Sequence, residues 1–539
     1  MRAETVFVGG RTFLTDPLPG VGRPAGGAPS AVGVAVRAGR IVAVAPDEQL
    51  RDLVGPGTEV VDLAGGLLVP GFVDAHAHPV FAGAQLLGCS LERAADPESY
   101  VDAVRDYATT HPERAWITGG GWSMEAFPGG TPTRALLDAV VPDRPVYLPN
   151  RDYHGAWVNS VALRLAGIDR TTPDPADGRI EREAGGEPTG MLHEGAATLV
   201  ARLVPEPTAA DEDAAFDLAQ RHLFALGVTG WQDAIVGDYL GQRDPYETYL
   251  RAAADGRLRA RVVGALWWDR ARGPEQVPAL RARRERANAE GAGRFVAGTV
   301  KIMQDGVAEN FTAAMTVPYR DARGRATGNA GLSFVDPALL AEAVTVLDDA
   351  GFQVHFHALG DRAVREALDA VAVATAHNGT GHNGAGRNGT GDRRHHLAHL
   401  QVVHPDDVPR FAALSVAATV QALWACHEPQ MDELTIPFLG GDLARHQYPF
   451  GDLWRAGATL AAGSDWPVSS PNPWWAAKVA VTRVAAGGEP ELAPFLPAQA
   501  LDLGTFLAAY TAGSAWVNHL DGVTGAIRPG LAADLVVVD

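Results

Sequence analysis

The chain has 539 residues, of which 46% are hydrophobic and 20% charged, with a net charge of −19; this is the composition of a soluble globular protein of about two to four domains, or of one large barrel with additions. The acidic balance excludes binding to a phosphate backbone, which needs clustered Lys and Arg, and it argues against an anionic membrane surface. No apolar run is long enough to span a bilayer, and two cysteines, Cys89 and Cys426, cannot build a disulfide framework.

The N-terminus lacks the apolar core of a signal peptide, so a cytoplasmic, reducing compartment is expected. Of 45 basic residues only Lys301 and Lys478 are lysines. GC-rich coding explains the bias. A lysine kept against it also marks a position where arginine cannot serve, because a buried lysine can lose its proton and become a nucleophile.

In chain order, residues 6–8, 32–37, 40–45 and 60–62 read as short strands, with a hairpin turn at Gly39. The Gly/Pro-rich stretch 17–30 reads as a loop. At the other end, residues 525–539 (GAIRPGLAADLVVVD) turn and then form an apolar strand. Both termini, 1–65 and 511–539, are therefore expected to build one small β-sandwich, with a helical segment at 471–510. From 66 to 470, apolar β-rich runs alternate with helical patterns such as 337–350 and 361–374, which predicts βα units and a parallel sheet. The candidate strands are 67–73, 146–148, 228–233, 261–266, 295–303, 353–357, 395–399, 416–421 and 459–462, nine for the eight places of a TIM-like (β/α)8 barrel. The span exceeds the roughly 250 residues of a plain barrel, so an insertion is required and is placed at 79–225. Residues 376–392, an Asn/Gly tract, read as a flexible loop.

The chemistry-bearing residues recur at predicted strand ends. The stretch 65–79, GGLLVPGFVDAHAHP, runs an apolar strand into His76 and His78. Residues two apart share a strand face, so the pair suits a divalent metal; two surface histidines after a buried strand are the plainer alternative. FVAGTVKIMQDG (295–306) carries Lys301 near its end, where a salt bridge to Asp305 is the alternative to a chemical role. His355 and His357 share a face in FQVHFHALGDRA (352–363), and Asp361 there reads as a helix N-cap. HHLAHLQVVH (395–404) offers His396 and His399. GSDWPV (463–468) places Asp465 after the last strand, where an aspartate is also a common turn former. No nucleotide-binding fingerprint is present.

Together these motifs resemble the amidohydrolase superfamily, and within it the branch of N-substituted formamide deformylase and its relatives, over nearly the whole chain. The resemblance implies a binuclear centre of two divalent cations, with zinc suiting the nitrogen–oxygen ligands. His76 and His78 would hold one metal and His357 and His399 the other. Lys301, carbamylated by carbon dioxide, would bridge them, and Asp465 would complete the first metal's shell. The match is imperfect at Ala398, where relatives often carry glutamate, and at Ala422, where they often carry proline. The resemblance further implies metal-assisted hydrolysis of a non-peptide amide C–N bond in a small molecule. Asp465 would act as general base and then general acid. In PVYLPNRDYHGAWVNSVALRLAG (145–167), His154 would face the active site and bind the carbonyl or oxyanion; packing beside Trp157 is the alternative, and Asn159 would fix the turn. In VQALWACH (420–427), Gln421 and His427 would lie near the substrate. Trp122, Trp157, Trp424 and Trp466 sit near these motif loops, and the expected substrate-binding wall is Trp122, His154, Gln421, Trp424 and Trp466; ordinary packing is the alternative for the tryptophans. Relatives usually continue past the last strand, so a further terminal piece is expected. Neither a nucleic-acid nor a membrane partner is expected, and a homodimer stays open. Two other readings are a mononuclear deaminase or cyclic-amide hydrolase of the same superfamily, and a non-catalytic binding relative.

Overall fold

The computed structural model describes residues 2–17, 24–379, 392–487 and 493–539. At its centre eight parallel strands run in sequence order around one sheet. They are β1 (Phe72–Ala77), β2 (Val228–Val236), β3 (Arg261–Trp267), β4 (Phe295–Met303), β5 (Gln353–Ala358), β6 (His396–His399), β7 (Ala417–Val420) and β8 (Thr459–Ala462). All seven pairings between neighbours are parallel. The first and last strands are stitched together just beyond their ends. Asp465 N donates to His76 O (2.7 Å) and His78 N to Trp466 O (2.8 Å). The buried Asp74 carboxylate accepts from Ser464 N at 3.0 Å. This is a TIM-like barrel, and its apolar strands and covering helices share one large core that includes Phe72, Trp231, Phe295 and Phe356.

Of the nine candidate strands, 146–148 is the one outside the barrel. It belongs to a six-stranded sheet inserted after β1, built from Cys89–Ser90, Ile117–Gly120, Val146–Pro149, Gly155–Val158, Gly178–Arg182 and Pro188–Glu194. The single apolar run 67–73 is in fact two strands. Leu67–Pro70 pairs antiparallel with Leu535–Val538 in a terminal sheet, and the chain then enters the barrel as β1. Gly71 makes the change of sheet: a side chain there would meet Thr229 Oγ1 at 2.3 Å, and its N–H donates to Asp534 O.

The terminal region holds two four-stranded sheets. One joins Thr5–Val8, Gly33–Arg37, Arg40–Ala45 and Glu59–Asp62. The other joins Arg11–Pro17, Pro24–Ser30, Leu67–Pro70 and Leu535–Val538. The loop expected at 17–30 is thus partly a strand. Pro24–Ser30 pairs antiparallel with Arg11–Pro17 at the edge of its sheet, the position where proline is tolerated because one side of the strand needs no ladder donor. The Asn/Gly tract lies outside the described residues from 380 to 391; just before it the helix Asp361–Asn378 ends on Gly379 in the left-handed conformation. Among the described residues no helix is long and apolar enough to cross a membrane.

Candidate metal centre

Strand register stacks the polar side chains of the barrel mouth in layers. Lys301 pairs with His355 and His355 with His396, which makes a lower row across β4, β5 and β6. Two residues further along Met303 pairs with His357, and three further along Ala358 pairs with His399. A period of two keeps His355 and His357 on one face, so the structure separates them by depth. His357 and His399 line the cavity at the barrel mouth; His355 and His396 lie beneath it and line no part of it.

In the upper layer, His76 Nε2 and His78 Nε2 lie 3.1 Å and 3.0 Å from Asp465 Oδ1. His399 Nδ1 is 3.9 Å from Asp465 Oδ2. One donor atom each from His76, His399 and Asp465 fall within 4.8 Å of one another, all buried; this is the one such group among the described residues. The rings of His357 and His399 are 4.5 Å apart. Beneath them His355 Nε2 contacts both His76 Nδ1 (2.9 Å) and Lys301 Nζ (3.4 Å). The other His355 nitrogen meets Gln232 Oε1, and His396 Nδ1 meets Thr419 Oγ1 at 2.9 Å. His355 therefore supports the layer above, and His396 packs beside it with ring centroids 4.0 Å apart.

Backbone strain marks the same place. His399 (φ +77°) and Asp465 (φ +57°) both hold left-handed conformations that L-residues seldom adopt.

Burial, reinforced by the positive charge of Lys301 and by neighbouring imidazoles, keeps His76, His357 and His399 well below the usual imidazole pKa, so they are neutral. Burial also lowers Lys301 to about 7. Lys301 makes no salt bridge with Asp305. That carboxylate instead accepts from the backbone of Ala314, Leu359 and Gly360 at 3.0, 3.1 and 2.8 Å, and lies 3.2 Å from His357 Nδ1. Burial raises Asp305 to about 7 in spite of these bonds. Asp361 is likewise not an N-cap. The cap position belongs to Gly360, and the Asp361 carboxylate reaches sideways to Thr316.

The inserted sheet brings His154 to the cavity. The turn before it is tied by Asn150 Oδ1 to Gly155 N (2.9 Å) and by Asp152 Oδ1 to His154 N (2.9 Å). His154 Nδ1 lies 2.9 Å from Glu194 Oε2, and Thr312 Oγ1 donates to Glu194 Oε1 at 2.7 Å. Burial pulls His154 down, but the charge and hydrogen bond of Glu194 outweigh it, with Asp152 and Asp305 adding, and the imidazole stands at about 9. Its ring is 5.2 Å from that of His357. Glu194 sits at φ +50°; no motif in the sequence singles it out, because its partner lies forty positions away.

The expected substrate wall divides. Trp424 lines the cavity and stacks on His399 at 5.2 Å. Trp466 lines an outer vestibule and stacks on His222. Gln421 lines neither space; its side-chain oxygen accepts from His399 N at 2.8 Å and fixes the strained end of β6. Trp122 is away from both. Its indole donates to Leu148 O, and its ring packs against Phe127 and Trp157 in the core of the inserted sheet, just past the end of the strand Ile117–Gly120. His427 pairs with Asp432 (2.7 Å) and borders neither space. Besides Asp152, Tyr153 and Tyr239, the cavity has an apolar wall that includes Phe81, Ile235, Met303 and Leu359. These residues carry no motif and were not legible one by one.

Comparison with known proteins agrees with this geometry. The chain matches the amidohydrolase family over residues 59–539. It is 30% identical to Protein LONG AFTER FAR-RED 3 of Arabidopsis thaliana over 95% of this chain and 84% of that one. It is 25% identical to the N-substituted formamide deformylase of Arthrobacter pascens over 94% and 89%. An uncharacterized metal-dependent hydrolase of Pyrococcus furiosus shares the fold, with TM-score 0.71 and 23% identity over 99% and 98% of the two chains. With a buried histidine–aspartate cluster at the mouth of an eight-stranded barrel and a family match over most of its length, the chain belongs to the amidohydrolase family and is a hydrolase of carbon–nitrogen bonds.

Proposed function

We propose that this protein hydrolyses a non-peptide amide of a small molecule, an N-substituted formamide or related N-acyl amine, with divalent metal bound at the barrel mouth. The observation that carries the reading is the convergence of His76, His399 and Asp465 donor atoms within 4.8 Å, together with buried imidazole nitrogens of His78 (Nδ1) and His399 (Nδ1 and Nε2) that have no hydrogen-bond partner. Buried imidazole nitrogens without partners are costly unless a cation takes their lone pairs, so the residues fit a metal. His76, His78 and Asp465 would hold one ion and His357 and His399 a second, with Lys301 between them. Zinc suits this donor set. Bound divalent cations supply Lewis-acid polarisation of the amide carbonyl and lower the pKa of water.

The chain's own groups supply the rest. Lys301, titrating near 7, holds a large neutral fraction whose amine can add carbon dioxide: an N–C bond forms, a proton leaves, and an anionic oxygen donor results. Asp465 would accept a proton from the attacking water and return it to the leaving amine. His154, cationic through Glu194, would donate to the oxygen on which negative charge develops. The apolar walls exclude bulk water and favour a small acyl group.

The related deformylase of Arthrobacter pascens supports formamides as the first substrates to try. A second reading, with one ion on His76, His399 and Asp465 and an unmodified Lys301, draws on the fact that among the described residues these three alone meet as one donor group. The test is metal content per chain, measured alongside hydrolysis of N-substituted formamides and N-acyl amines. About two equivalents and activity lost on chelation are expected. One equivalent selects the second reading, and a metal-loaded protein that turns over no amide overturns both.

A further inference from the structure

Above the histidine–aspartate cluster the cavity opens into a wider vestibule, joined to it at Asp152 and Trp424. Four carboxylates line this vestibule: Glu92, Asp152, Glu309 and Glu428. Among the described residues none of them lies within salt-bridge distance of a cation; Arg151, the one guanidinium in the wall, is 3.7 Å from Glu125, bonds Gln430 (2.5 Å), and its charge also acts on Glu428, Asp152 and Glu309 from further away. The hydrogen bonds that three of them accept come from neutral or backbone donors. Glu92 accepts from Gln85 (2.8 Å), Glu309 from Thr435 (2.6 Å) and Asp152 from His154 N (2.9 Å).

A separate observation points to a missing donor. Gln401 lines the same vestibule, is 1% exposed, and its Oε1 has no hydrogen-bond partner. Its amide is not simply reversed: Nε2 donates to Gln447 Oε1, whose own Nε2 donates to Ala444 O. Trp424, Trp466 and Trp475 supply aromatic faces in the same wall, and such faces attract cations.

We infer that the amide accepted by this site carries an organic cation, an ammonium or guanidinium group, at the end that reaches the vestibule. The location of the scissile bond rests on the function proposed above; the cation site rests on the vestibule alone. A metal ion is the poorer occupant. The four acids do not converge, since the one compact donor group among the described residues is the histidine–aspartate cluster below. Dispersed carboxylates, an unpaired acceptor and flat aromatic rings suit a larger, delocalised or alkylated cation.

The inference is tested by calorimetry on the metal-loaded full chain with choline and its uncharged tert-butyl isostere, since a quaternary ammonium cannot ligate the metal. Choline is expected to bind at least about tenfold more tightly, and the ratio is expected to fall toward one in the double variant Glu309→Gln, Glu428→Gln and partway in each single variant, whose circular dichroism melts check the fold. In the second arm, kcat/KM for N-formylcadaverine is expected to exceed that for N-formylpentylamine. Equal binding of cation and isostere, an unchanged ratio in every variant, or preference for the neutral amide overturns the inference. A cation preference in binding with no turnover of any amide overturns the proposed function and leaves the cation site standing.

Discussion

At the centre of the site stands Lys301, whose surroundings set its chemistry more than its own structure does. It is 1% exposed, and its nearest polar contact is an imidazole; arginine could not lose its proton there. Lys301→Ala is expected to lower kcat/KM by roughly a hundredfold or more, with partial rescue by short carboxylic acids; turnover equal to wild type would remove the lysine from the mechanism. His154 and Glu194 give a second prediction. His154 is raised from 6.5 to about 9, so its share of stability is fully present below 6.5 and lost as pH rises through about 9. Glu194 is lowered below its ordinary 4.5, so its share is lost as pH falls through that region. Thermal melts of wild type and Glu194→Gln should therefore differ most between about pH 5 and 8 and approach each other above pH 9. A gap that stays constant to pH 10 would show that the pair is not charged.

Elements matter here chiefly through where they end. The first and last barrel strands meet at Gly463, where an added Cβ would lie 2.6 Å from His76 N and 2.9 Å from His76 Cβ. Gly463→Ala would therefore push a candidate ligand strand rather than a loop. Metal affinity is expected to fall by about tenfold or more, the effect of disturbing groups that orient ligands, while far-ultraviolet circular dichroism stays native; a metal titration measures it. The strand ends were legible from sequence at His76 and Asp465 because each follows an apolar run. The split at Gly71 was not, since one continuous apolar run serves two sheets and only the contact with Thr229 demands the break. Pro24–Ser30 was missed for the opposite reason: a Gly/Pro-rich composition carries a loop signal, and edge pairing overrides it.

For the whole molecule, stability and ligation are linked. A metal that binds only the folded chain raises its melting temperature with concentration, so stripping by chelator should lower the midpoint by several degrees and zinc should restore it. Identical melts before and after stripping would mean that the histidine cluster binds no ion. The two ends of the chain are coupled in the same way. Leu535–Val538 covers Leu67–Pro70, and Asp534 pairs with Arg261 on β3 at 2.7 Å. Deleting residues 534–539 would uncover the strand that leads into β1 and should reduce the urea midpoint and promote aggregation through the exposed edge.

Sequence by itself determined the barrel and the chain order of the candidate ligands. Apolar periodicity and residue type are local properties and survive being read in one dimension. Tertiary structure decided the rest. Register put His357 and His399 at the cavity with His355 and His396 below it. Packing against Phe127 and Trp157 buried Trp122 in the core of the inserted sheet. Contacts between residues far apart in the chain gave Glu194 to His154 and gathered the vestibule carboxylates. Depth, facing and long-range pairing are relations between elements, and no single stretch of sequence carries them.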